Sequence, residues 1–168
     1  MDKILQHYIE TLLPYRLNGI GAFEMGLALH HANPGGADIE CTFDGELRIQ
    51  GRSTVITNPT IEMGIIHSRV LLEFLGVKAA SSCKLKDSFK RYPTDVGIES
   101  FGLDRIKVKD VLELANGNKK LAELNLAKTI TAANKMVAHS TSILKLDDDS
   151  IDGYFMTCKA IPLLFKQY

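Results

Sequence analysis

The chain has 168 residues, 45% of them hydrophobic and 24% charged, with Lys and Arg equal in number to Asp and Glu. That composition is ordinary for a globular protein, and the length makes a single domain over residues 1–168 the expectation. Zero net charge excludes a global field favouring nucleic acid or anionic lipid, and no run approaches the roughly 20 apolar residues that a membrane span needs.

Cys41, Cys83 and Cys158 are widely spaced and contain no C-x-x-C pair. This argues against a disulfide framework or a zinc ribbon and for a reduced compartment. Residues 1–10 lack the continuous apolar core of a secretory leader, so a cytoplasmic protein is expected.

In chain order, Ile4, Leu5, Tyr8, Ile9, Leu12 and Leu13 have the spacing of an amphipathic helix over residues 2–13, with Asp2 as cap. Pro14 ends that helix or starts the next, which runs over 15–31 and lines one face with Gly19, Ala22 and Gly26. A mid-helix glycine costs roughly 1 kcal/mol against alanine, so close helix contact must compensate. The same face offers a route to a homodimer. Asn33-Pro34-Gly35-Gly36 stops the helix.

Residues 38–50 have the pattern of a small hairpin turning at Asp44-Gly45. A three-residue loop pairing Phe43 with Leu47 aligns Ile39, Cys41, Phe43, Leu47 and Ile49 on one face. A two-residue loop would split them, so the longer loop is the expectation.

Residues 58–76 carry Asn58 as N-cap, Pro59 at the first helical position and Gly76 just past the end. Apolar residues cover most of this helix, which marks it as central and buried. Glu62, Arg69 and Glu73 fall within about 40° of one another on its wheel, and buried charges must be paired. The three can neutralise one another, or line a cleft in which Arg69 binds phosphate or carboxylate. His67 stands among apolar positions, where one hydrogen bond would satisfy it.

Residues 77–103 read as an irregular connection, with Lys78, Lys84, Lys86, Lys90 and Arg91 making a basic stretch that could touch nucleic acid. Helices are expected over 105–115 and 119–138, the second with Leu121, Leu124, Ile130, Ala133 and Val137 inward. A last helix opens after Asp147-Asp148-Asp149-Ser150 and bends or breaks near Pro162. The fold class is therefore all-α: a bundle of five or six helices carrying one small β-hairpin insertion.

No G-x-S-x-G, phosphate-loop or dinucleotide motif is present. A metal site would need Glu24, His30 or His31, His67 and His139 to converge from three helices, without any Glu-x-x-His pair to start it. No cofactor is expected. The candidate catalytic residues are Arg69, His67 and His139, the candidate binding residues Glu62, Arg69 and Glu73.

Glu62, His67-Ser68-Arg69-Val70-Leu71 and Phe74, followed by Ala138-His139, resemble a group of uncharacterised bacterial helical proteins with an E-x4-H-x-R-x-L-x-x-F helix and a later alanine-histidine helix end. The resemblance covers residues 58–165 and omits the hairpin. It implies a bundle in which Glu62, His67, Arg69 and His139 come together. More distantly the chain is similar to HEPN domains, several of which cut RNA as dimers with an arginine four to six residues before a histidine. Here the nearest approach is Lys135-x-x-x-His139. The leading reading is a cytoplasmic helical binding module. An RNA-binding or RNA-cleaving protein follows, and then a metal-dependent hydrolase.

Overall fold

The computed structural model describes residues 2–88, 92–114, 118–138 and 148–167. Helix α1 (Lys3–His7) runs through a π-helical turn (Tyr8–Leu12) directly into α2 (Leu13–Ala32). Pro14 stands in the first turn of α2, one of the two expected places, and the rod does not end at it. Its ring clashes with the carbonyl four residues back and it lacks an N–H. The rod widens by one residue just before it, the Leu13 N–H reaching the Tyr8 carbonyl. Asp2 caps the start, its Oδ1 accepting from the Ile4 N–H at 3.0 Å.

Strands β1 (Asp38–Phe43) and β2 (Glu46–Arg52) form the expected hairpin, and its register combines both loop lengths. At the tip Phe43 pairs with Glu46 and Thr42 with Leu47. Asp44 (φ 54°) and Gly45 (φ 79°) both take positive φ, the requirement of a two-residue type I′ turn. The three-residue loop is thus corrected: turn chemistry prevails locally. A bulge at Arg48 then shifts the ladder, so that Cys41 pairs with Ile49 and Ile39 with Gly51. Beyond the bulge, the apolar alignment holds.

Helix α3 (Thr54–Leu75) starts earlier than its Asn58 signal and carries Pro59 inside. Its start is set by tertiary contacts. The Ser53 N–H donates to the Ala37 carbonyl at 2.7 Å, and the Ser53 Oγ accepts from the Ala37 N–H at 3.0 Å. The end is as expected: Gly76, at φ 110°, caps it in the left-handed region.

The all-α expectation is corrected by a second two-stranded sheet, β3 (Val77–Ser81) with β4 (Lys84–Asp87), in the stretch read as irregular. The molecule is a mixed α/β fold dominated by helices. Val77 pairs with Asp87, Lys78 with Lys86 and Ala79 with Leu85. Short strands with lysines opposite one another lack the alternation that announces a hairpin. Burial supplies what the pattern does not: Val77 and Leu85 join the core as the sheet packs against α5 (Lys119–Ala138). Glu123 of α5 ties it down, accepting from the Leu85 N–H at 3.2 Å and from Lys84 Nζ at 2.8 Å.

A 3₁₀ turn (Ile98–Phe101) and α4 (Val108–Leu114) lead to α5, and α6 (Asp148–Phe165) closes the chain. Helix α6 runs unbroken through Pro162. Leu121, expected inward, is exposed on α5. The core is built by Ile20, Phe23 and Leu27 of α2, Ile61, Ile65, Leu71 and Leu72 of α3, Leu126 and Ile130 of α5, and Ile161 of α6. Phe74 stacks between Tyr8 and Phe165, with centroid distances of 5.3 and 6.0 Å.

Candidate functional site

The α2–α3 crossing explains the glycine face. A Cβ at Gly19 would overlap the His67 ring, one at Gly64 would overlap Phe23, and one at Gly26 would press on Thr60 and Ile61. Each helix supplies a notch for the other's side chain, antiparallel to it. The glycine cost is offset by this interlock within the chain, and Gly19 and Gly26 are not free to receive a second copy.

His67 is 4% exposed. Tyr15 stands edge-on to its ring at 5.2 Å, and Arg16 Nη1 lies 3.2 Å from its Nδ1. Because a guanidinium only donates, His67 Nδ1 is the acceptor and the proton sits on Nε2. Burial first, and the Arg16 charge second, hold the imidazole below its ordinary pKa of 6.5. His67 is therefore the neutral partner of an arginine.

Arg69 lies 200° around α3 from His67 at 100° per residue, so the two leave opposite sides of the helix. Its Nε donates to Glu73 Oε1 at 3.2 Å, and both side chains are half-buried. Glu62 is exposed and, among the described residues, forms no ion pair with Arg69. The carboxylate–arginine–carboxylate stripe reduces to one pair. His139, Lys90, Arg91 and Asp147 lie outside the described residues. Among the described residues no three His, Cys, Asp or Glu side chains are placed to hold a metal ion.

Sequence reasoning missed Arg16. Between Thr11 and Leu29 the only charged residues are Arg16 and Glu24. At eight residues apart they are too far for a helical pair. An arginine without a local counter-charge, three residues before a helical glycine, was the available signal.

Two surfaces remain. A groove of about 210 Å³ between α4, α5 and α6 is lined by Leu114, Ala122, Leu126, Met156, Ala160 and Leu163 among others. That is below the roughly 300–1,000 Å³ of sites for drug-sized ligands and suits one apolar side chain. The β1–β2 hairpin is the other. Phe43, Leu47 and Ile49 are 60%, 50% and 40% exposed, and Ile39 and Cys41 are half-buried. Its base is fixed by Arg52, which donates to the Gly35 carbonyl at 2.6 Å, to the Gly36 carbonyl and to Asp38 at 3.3 Å.

Compared with known proteins, the chain matches no family model, no curated protein and no solved structure. No described helix is long and apolar enough to cross a membrane.

Proposed function

We propose that the chain is an interaction module that self-associates through the apolar face of the β1–β2 hairpin. The supporting observation is the exposure of Phe43 and Ile49 on one face of a two-stranded ribbon, with Ile39 and Cys41 beside them; Leu47, paired with Thr42, takes the other face. Such a ribbon is marginally stable by itself in water, and clustered exposed apolar side chains mark interaction surfaces. Ile39, Cys41, Phe43 and Ile49 share this face, with Glu46 opposite Phe43 at its tip, and an identical ribbon packed face to face completes a minimal sandwich. His67, the best base by chemistry, is buried and engaged by Arg16, which favours binding over catalysis.

The interface is small, so association falls at the weak end of specific contacts. Sedimentation equilibrium over a concentration series is expected to show a monomer–dimer equilibrium that Phe43→Asp with Ile49→Asp abolishes. Both positions are exposed, so the fold survives, as circular dichroism would verify. Cys41, half-buried on the hairpin, is expected to cross-link to its copy under mild oxidation. A chain monomeric throughout, or a dimer indifferent to both substitutions, overturns the proposal.

A further inference from the structure

We infer that Arg16, together with Tyr15 and His67, forms an oxyanion-binding site at the α2–α3 crossing, separate from the hairpin. Arg16 is half-buried on α2, and its Nε is shielded from solvent and, among the described residues, has no hydrogen-bond partner. Its Nη1 reaches the neutral imidazole of His67, at 3.2 Å. Among the described residues no carboxylate pairs with it, whereas Arg52, Arg69 and Arg105 each have one.

The physical chemistry favours an anion there. A partly desolvated guanidinium without a counter-charge is costly, and the cost is removed by a group that accepts from several of its five N–H donors at once. A phosphate or carboxylate does this in bidentate fashion and a water molecule does not. His67 offers no negative charge and, by accepting at Nδ1, holds the guanidinium in one orientation. Gly19 lets the imidazole approach α2 closely enough to do so. Tyr15, 55% exposed, stands edge-on beside the imidazole and forms the solvent-facing wall of the cluster. One buried neutral partner and one shielded donor make an arginine poised for a ligand rather than one locked in a structural bridge.

The test uses the whole chain at constant ionic strength, with inorganic phosphate and acetate as separate probes against chloride. A ligand that binds only the folded state raises Tm, by about 3–5 °C at ten times its dissociation constant for a chain of this size. The wild-type protein is expected to show that rise. Arg16→Met, an apolar replacement of the kind buried charges tolerate, is expected to lose it while remaining folded. Arg16→Lys keeps the charge without the fork, and its apparent affinity is expected to fall several-fold.

The His67 imidazole proton resonance reports independently, since an anion beside Arg16 moves its titration toward the ordinary range. This readout needs no variant. A stronger response to phosphate assigns a phosphate-bearing ligand and a stronger one to acetate a carboxylate-bearing ligand; either supports the site. An unmoved His67 titration, or equal Tm shifts in wild type and Arg16→Met, overturns it. Neither result depends on whether the hairpin dimerises.

Discussion

Gly19 and His67 occupy complementary positions on α2 and α3: the imidazole fills the space that a Cβ at residue 19 would need. The ring cannot retreat readily, because Arg16 and Tyr15 contact it from the same helix. Gly19→Ala is therefore expected to destabilise the protein by about 1–3 kcal/mol, the usual cost of overpacking. At Gly21, two residues on, a Cβ would meet nothing within 4 Å. Gly21→Ala should stabilise by about 0.5–1 kcal/mol through helix propensity alone. Urea unfolding of the two variants measures this sign reversal directly.

The same contact sets a pH dependence. The folded-state pKa of His67 lies below the ordinary 6.5, so the unfolded chain binds this proton more readily. Stability from the neutral imidazole is fully present above 6.5 and is lost as pH falls toward the folded value. Protonation would also place two cations side by side and remove the acceptor for Arg16. For this one proton the slope is at most about 1.4 kcal/mol per pH unit. His67→Gln is expected to flatten the profile of Tm against pH across that window.

The three cysteines should separate by reactivity. Cys83 is exposed, Cys41 half-buried and Cys158 buried. Burial, with Glu24 as a second cause, pushes the Cys158 thiol up to about 12. The thiolate is the reactive form. A thiol-specific disulfide reagent is expected to titrate Cys83 quickly and Cys41 more slowly, and to reach Cys158 only when denaturant is added.

Arg105 holds the segment between β4 and α4. It donates to the Ser88 carbonyl at 2.6 Å and to Glu99 Oε1 at 2.5 Å. Its stem also packs against Gly76, where a Cβ would come 2.8 Å from that of Arg105. Arg105→Ala is expected to cost about 1–3 kcal/mol, the range for hydrogen bonds to a charged group. Hydrogen exchange should rise first at Gly97–Gly102, with α3 keeping its protection.

Much of this architecture is local and was legible as such. The apolar circumference of α3, the stop at Gly76 and the turn at Asp44-Gly45 each follow from a few adjacent residues. The β3–β4 sheet was hidden because its inward residues are so few, and packing on α5 rather than alternation makes them strands. The start of α3 was displaced by Ser53 and Ala37, a contact across the hairpin that no helix signal encodes. The polar centre was half legible. His67 was identified, but Arg16 lies 51 positions away, and Arg69, close in sequence, leaves the opposite side of the helix.

The bulge at Arg48 has a further meaning. A ribbon whose tip and base obey different registers is phase-shifted by a single residue, and Arg48 is that shift. Were Arg48 instead taken into a regular ladder, it would stand opposite Cys41 and Ile49 opposite Glu40, which would turn the apolar ridge into a mixed surface. The hairpin's surface chemistry is thus encoded by the bulge in its register as much as by the identity of its side chains.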